Sequence, residues 1–338
     1  MASNYIDEIT KLSNLLVSNI RFKLDYNNYL NNTRKLLLVE GATDKEFIAH
    51  VKKDSVDCVI ADHVFKSNTA LRTTPTERIN CKNAIVKVIY GVSKFKSPFI
   101  PYPNDMDKWD IYGLVDLDCE ELSTGVQFPR LFITDTHDLE TLLLSTDKDI
   151  LNRIDNCNIS PEEITQSFFM AYQLAEVRNL LNGYYDKESF DLSSISCGSH
   201  QVDFSFFVEG NKINLRNLVN YITKHSEKEY PSTKIKQIID RLLQSKLVRK
   251  KFSTDGVWKQ DISGFDIDAI DEYWIIVNGH DILQLIRYYN EDAQNVFMDT
   301  PGQALNRAFE SNLIEIYDYS KFSHTSLFEK MNSQEIIA

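Results

Sequence analysis

Four apolar residues in a row, Leu36-Leu37-Leu38-Val39, run straight into Glu40 and Gly41. A run this short, closed by a glycine, suits a strand covered on both faces better than a buried helix. The residues that follow read as a helix. Thr43 and Glu46 have the spacing of a capping box, and Phe47, Ile48 and Val51 form an apolar stripe behind them. A strand-turn-helix unit of this kind presents ligands beyond the carboxyl end of its strand. Glu40 stands at that end, and Asp44 falls in the first helical turn beside it.

The pattern recurs twice. Gly113-Leu114-Val115 runs into Asp116-Leu117-Asp118, and Leu131-Phe132-Ile133-Thr134 ends at Asp135. Side chains two apart on a strand share a face, so Asp116 and Asp118 are able to point at one locus. Acids gathered at several strand ends repel one another unless a positive charge lies between them. A hard divalent cation, Mg²⁺ or Mn²⁺, is the simplest such charge. Metal-ion chemistry of this kind needs several carboxylates converging on one point, and Glu40, Asp44, Asp116, Asp118 and Glu140 supply such a set.

Composition narrows the class. The chain has 338 residues, 43% hydrophobic and 25% charged, ordinary for a globular protein with a sizeable core. No apolar run approaches the roughly 18 residues of a membrane span, and the first residues lack the basic flank and apolar core of a signal peptide. Five scattered cysteines without a C-x-x-C pair favour a reducing cytoplasm over a disulfide framework or a zinc module. A net charge of −12 argues against a nonspecific nucleic-acid coat, although the charge is uneven. Acids crowd residues 105–121, whereas residues 232–251 carry Lys234, Lys236, Arg241, Lys246, Arg249, Lys250 and Lys251 against the single acid Asp240. That basic stretch is the best candidate for holding a nucleic-acid backbone. For most of its lysines a solvated amphipathic helix, whose buried side is Ile235, Ile238, Ile239, Leu242 and Leu243, is the favoured reading, and the two are compatible.

Taken in order, residues 1–34 hold an amphipathic helix over about 4–30, and 35–150 alternate strands and helices. Val56 to Ile60 suits a second strand, Thr76 to Tyr90 a crossover helix, and Asp138 to Leu144 a helix start. The prolines at 98, 101 and 103 make residues 93–110 a loop. Such alternation argues for an α/β fold with a mostly parallel sheet flanked by helices. Residues 151–338 are largely helical, packed on the core. Ser160-Pro161-Glu162-Glu163 opens a helix to about Leu181, and a small hairpin lies near 201–215 with its turn at Glu209 to Lys212. Helices follow at about 216–225 and 232–250. The short apolar run Tyr273 to Val277 precedes a helix to Tyr289, and Thr300-Pro301 starts another.

Three strings, LLLVEGATDKEFI, GLVDLDCE and LFITDTHDLETLLL, resemble the TOPRIM domain of topoisomerases, primases and OLD-family nucleases over about residues 35–148. They are most similar to stand-alone TOPRIM nucleases, the family of AriB-like toxin subunits of the PARIS anti-phage system. WIIVNGHD, at Trp274 to Asp281, is a fainter echo. The resemblance implies a Rossmann-like TOPRIM fold and a Mg²⁺- or Mn²⁺-dependent endonuclease. It assigns Glu40, Asp44 and Asp116 to the main metal, and Asp118 and Glu140 to a second metal or a supporting role. Asp135 is open between ligand and helix cap. His137 is open between phosphate donor, support for the ligands and core residue. His280 and Asp281 match a Gly-His-Asp string of the family, though a turn followed by a capping Asp explains Asp281 as well. Hydrolytic members carry a lysine near the scissile phosphate, and Lys45, Lys82 and Lys148 all qualify by position. The substrate implied is RNA, tRNA in particular, with DNA the alternative set by OLD-type enzymes. There is no G-x-x-x-x-G-K-[ST] loop, so the resemblance places the ATPase in a separate ABC/SMC-like sensor subunit. A homodimer would let a one-strand site cut two strands. A non-catalytic binding module is the rival from another class.

Overall fold

The computed structural model describes residues 35–61, Lys82, Ile85, Ile89, 110–117, 130–184, 202–225, 231–270, 272–298 and 306–337. The helix expected over 4–30, nearly all of the proline-containing loop, Asp118 and the Thr300-Pro301 helix start lie outside these residues. Contacts divide the chain into two units. Residues 1–135 with 318–338 form the first, and 136–317 the second. The second unit thus begins earlier than the expected boundary near 150, and the C-terminal segment returns to the first.

The first unit is built on a four-stranded parallel sheet of order β2-β1-β3-β4, where β1 is Lys35–Val39, β2 Val56–Ile60, β3 Asp110–Val115 and β4 Leu131–Ile133. Leu38 pairs with Val59 on one side and with Gly113 on the other. Leu36, Leu37, Leu38 and Val39 are all buried. Consecutive burial in a strand requires cover on both faces, which is why the sequence shows a continuous apolar run rather than alternation. Helix α1 (Ala42–Val51) links β1 to β2 and buries Phe47 and Ile48. Lys82, Ile85 and Ile89 are helical residues at i, i+3 and i+7, so they share one stripe. A Cβ on Gly113 would lie 2.4 Å from Ile85 Cγ2 and 3.1 Å from Ile89 Cγ1. Glycine in β3 therefore admits that helix to close contact with the sheet.

The C-terminal segment completes this unit. Tyr319 and Phe322, on the short helix α11 (Tyr319–Phe322), stack on and edge against Phe47. The chain then passes through α12 (Ser326–Ser333) and bridges Lys52 through Ile337.

Among its described residues, the second unit is mainly helical with a two-stranded hairpin. Its elements are α2 (Leu139–Thr146), α3 (Pro161–Tyr184), β5 (Val208–Glu209), β6 (Lys212–Ile213), α4 (Leu215–His225), α5 (Ser232–Gln244), α6 (Lys246–Lys251), α7 (Tyr273–Ile276), α8 (Gly279–Tyr289), α9 (Glu291–Val296) and α10 (Arg307–Ile316). The Ser160 cap forms as expected, with Glu163 Oε2 accepting from Ser160 N at 2.7 Å. The hairpin turn carries Gly210 at φ 65°, the left-handed conformation glycine adopts without strain. Gln173, buried in α3, donates to Asn211 O and accepts from Ile213 N, both at 2.9 Å, and so anchors the hairpin.

Two local expectations differ from the structure. The single helix over 232–250 breaks at Ser245, whose backbone turns extended and whose hydroxyl caps α6 through Leu247 N. That break follows the general rule that serine competes well as a cap. The run after Glu272 is one turn of helix, α7, with buried Tyr273 donating its hydroxyl to Phe168 O at 2.8 Å.

Candidate functional site

The order β2-β1-β3-β4 means that the chain leaves β1 toward one sheet edge and returns to build toward the other. The point between β1 and β3 is therefore the topological switch, and ligands in open α/β sheets bind beyond the strand ends there. Glu40 follows β1 and Asp116 follows β3. The structure joins them directly, with Asp116 N donating to Glu40 Oε1 at 2.9 Å. Asp44 folds back on the turn that follows Glu40: its Oδ2 accepts from Gly41 N at 2.8 Å. The helix starts at Ala42, so Thr43 lies inside it, and the acid that answers the N-terminal residue is Asp44 rather than Glu46. Glu40, Asp44 and Asp116 are all half-buried, ordered by backbone donors yet reachable from solvent. Thr134 steadies the β3 exit, accepting from Leu117 N at 2.9 Å while its own N–H donates to Val115 O.

Of the three lysines, Lys82 reaches this rim. It is 5% exposed, and its Nζ donates to Leu117 O at 3.3 Å, one residue beyond Asp116. Its place follows from the helix stripe: Ile85 and Ile89 seat the helix on the sheet, and Lys82 is one turn nearer the strand ends. Lys45 points to solvent, and Lys148 pairs with Asp268 on the surface of the second unit. Asp135 caps a helix, its Oδ2 accepting from Leu327 N at 2.7 Å at the start of α12. Asp118 lies outside the described residues.

Glu140, His137, His280 and Asp281 belong to the second unit. His137 is buried, with its N–H donating to Trp274 O and its Nδ1 3.2 Å from Asp138 Oδ2. Asp281 is fully buried and paired by both oxygens with Arg178, so its role is to tie α8 to α3. Asn278, not Asp281, caps α8. Glu140, in the first turn of α2, meets His280 of α8 and Glu310 of α10, with one ligand-type atom of each within 4.8 Å of the others.

No family model matches the chain, and no curated protein is significantly similar to it.

The electrostatics of the second cluster follow from its burial. Desolvation pushes the Glu140 carboxyl well above the usual carboxylate range. The His280 imidazole beside it works the other way, and the Asp138 and Glu310 carboxylates add to the rise. Desolvation lowers the basicity of His280, but the facing Glu140, Glu310 and Asp138 carboxyls outweigh it and raise its pKa well above the usual value. Asp138 goes the opposite way. Burial disfavours its charge, yet the hydrogen bond from His137, the neighbouring imidazoles and the Thr141 N–H hold its carboxyl far below the ordinary range.

Asp138 and Glu310 were not among the residues singled out from sequence. Asp138 is the N-cap of α2 and also accepts from Gly279 N at 2.7 Å, joining two helix starts. Glu310 was legible in principle: it sits at i, i+3 and i+4 with Leu313 and Ile314, an acid on an apolar stripe.

The expected basic patch lies on α5 and α6. Lys234, Lys236, Arg241, Lys246, Arg249 and Lys250 are exposed, while Ile238, Ile239 and Leu242 are buried beneath them. Lys251 turns inward to pair with Glu176 at 2.6 Å. Among the described residues no helix is long and apolar enough to cross a membrane.

Proposed function

We propose that this protein is a Mg²⁺- or Mn²⁺-dependent phosphodiesterase of the TOPRIM type, an endonuclease acting on RNA. The observation that carries the reading is the coupling of Glu40 to Asp116 across the switch point of a parallel sheet, with Asp44 alongside. The donor type suits a hard cation, since it is all oxygen, half-exposed, and drawn from two strand ends and a helix start, although among the described residues only Glu140, His280 and Glu310 bring three ligand atoms within 4.8 Å of one another. Glu40, Asp44 and Asp116 would hold the ion, which when bound supplies an activated water and neutralises charge on the attacked phosphate. The chain's own residues do the rest. The Asp116 N–H orients the Glu40 carboxylate, Thr134 fixes the backbone after β3, and the Lys82 ammonium supplies a buried positive charge for a phosphate oxygen.

RNA, and tRNA in particular, is the substrate favoured by the sequence resemblance, with DNA nicking the alternative. The same resemblance supports a toxic effector of bacterial anti-phage defence held by a separate ATPase subunit, while the scattered cysteines favour the cytoplasm and a site that cuts one strand at a time favours a homodimer. The exposed basic face of α5 and α6 supports nucleic acid as the partner.

A second reading has its own observation. Asp44 answers Gly41 N, Glu40 answers Asp116 N and Asp135 answers Leu327 N, so each acid has structural work without a metal. Incubating the purified full chain with Mg²⁺ or Mn²⁺, total tRNA and plasmid separates the two. Cleavage of tRNA, lost in Glu40→Gln and Asp116→Asn, is expected. Cleavage of plasmid alone would overturn the RNA assignment, and cleavage of neither would leave the binding-module reading standing.

A further inference from the structure

We propose that Glu140, His280 and Glu310 form a binding site for a divalent transition metal, with Zn²⁺ the best match, built from three helices of the second unit. The site is assembled with care for close approach. A Cβ on Gly279 would fall 2.5 Å from Glu140 Cβ and 2.5 Å from Asp138 Oδ1. Only glycine lets the start of α8 settle onto the first turn of α2, and that contact brings His280 beside Glu140. Asp138 locks the arrangement by accepting from Thr141 N at 2.9 Å and from Gly279 N. Glu310 then arrives from the first turn of α10.

The side chains that meet there are poorly satisfied by one another. Glu310 is 3% exposed, and its Oε1 lies 3.0 Å from His280 Nδ1, an ion pair when the imidazole is protonated but a clash of lone pairs when it is neutral at that nitrogen. Both buried atoms lack a hydrogen-bond partner among the described residues. Buried polar atoms left so are costly and call for an explanation. A metal ion fits the 3.0 Å separation of this pair, with Glu140 closing in from within 4.8 Å. Neighbouring ligands about 2.1 Å from a metal lie roughly 3.0–3.4 Å apart, depending on whether six or four surround it.

Charge gives the same answer. Glu140, Glu310 and Asp138 put three carboxyls around one imidazole, with His137 against Asp138. A divalent ion bound by two carboxylates and a neutral imidazole leaves the ligand shell neutral. Asp138 stays outside it, balanced by His137 and two helix N-termini. The nitrogen donor sets the class of metal, since imidazole suits Zn²⁺, Fe²⁺, Cu²⁺ or Ni²⁺, whereas Mg²⁺ and Mn²⁺ prefer oxygen. His280 keeps 30% of its side chain exposed, so the cluster lies close to solvent.

The test uses the full chain stripped with a chelator and titrated with Zn²⁺ in millimolar Mg²⁺, with bound metal measured by calorimetry and elemental analysis. Wild type is expected to take up one equivalent that Mg²⁺ does not displace and to gain thermal stability. His280→Ala and Glu310→Gln are expected to lose both the equivalent and the gain. Glu140→Gln is the safeguard for folding, because an amide keeps the shape of the carboxyl while removing its charge. It should keep the wild-type circular dichroism and lose the metal. Substituting Co²⁺ adds a readout specific to the histidine, a paramagnetically shifted imidazole N–H proton. Equal Zn²⁺ uptake in wild type and all three variants, or a Co²⁺ form without the shifted imidazole signal, would overturn the proposal. Neither readout depends on cleavage of any nucleic acid, so this site and the nuclease reading fail separately.

Discussion

Gly279→Ala puts two physical effects in open conflict. Gly279 is the first residue of α8, and alanine is the better helix former by about 1 kcal/mol in a helix interior. Propensity alone therefore says that the variant gains stability. Sterics say the reverse, since the added Cβ would meet Asp138 Oδ1 and Glu140 Cβ at 2.5 Å and Thr141 N at 3.1 Å. None of these is the loose end of a long side chain, so α8 has to withdraw from α2. Overpacking of this kind costs about 1–3 kcal/mol. Withdrawal also weakens the 2.7 Å bond from Gly279 N to a fully buried, ionised Asp138, and hydrogen bonds to charged groups contribute about 1.5–3 kcal/mol. Allowing for the propensity gain, the net loss is about 2–5 kcal/mol, which lowers the melting temperature of a unit of this size by roughly 5–15 °C.

Tryptophan fluorescence suits the measurement, because Trp258 and Trp274, two of the three tryptophans, lie in the second unit. Gly264→Ala is the matched control. Nothing lies within 4 Å of its Cβ position, so the same substitution there should leave stability unchanged or raise it slightly. A Gly279→Ala variant as stable as the Gly264→Ala control would refute the claim that these two helix starts are held in contact by the absence of one methyl group.

Other outcomes follow from the same geometry. Arg178→Leu strands the fully buried Asp281 carboxylate and should cost about 3–5 kcal/mol in urea unfolding. Adding Asp281→Leu should recover much of that loss, and no recovery would place the cost elsewhere. Burial, with Asp44 adding and Lys45 opposing, pushes the Cys58 thiol up to about 12, and burial pushes Cys157 up to about 11. The folded chain then keeps protons that the unfolded chain releases above about pH 8.5, so stability falls as pH rises from there toward the folded values. Urea midpoints at pH 7.5, 9 and 10 check the sign, and Cys58→Ala should flatten the decline. Gln173→Ala removes two bonds to the hairpin, so amide exchange at Ile213 should quicken while exchange in β1 stays unchanged.

What the sequence discloses, and what it withholds, divides along the range of the interactions involved. Strand β1, its turn and Glu40 are local features, written as an apolar run closed by an acid and a glycine, and they form where expected. Ser160 and Glu163 cap α3 for the same reason: the partners are three residues apart. The coupling of Glu40 to Asp116 depends on strand order, and sequence alone leaves that order open until the sheet is seen to switch between β1 and β3. Asp44 shows how a local rule misleads by a small shift. Two overlapping acids, Asp44 and Glu46, both satisfy a capping spacing, and the backbone at Gly41 selects the nearer one.

The Gly-His-Asp string carries the larger lesson. Adjacent residues of one motif take unrelated roles because a helix turns each side chain by about 100° from the last. Gly279 admits a neighbouring helix, His280 faces two carboxyls, and Asp281 turns away to Arg178. Reading the three as a unit predicts one shared function. The helix geometry instead makes His280 the member that meets the chemistry, Gly279 the member that allows the meeting, and Asp281 the member that anchors α8 while it happens. A His280→Asn variant should therefore leave the α8–α3 contact intact, whereas Asp281→Asn should loosen it without changing which residues surround position 280.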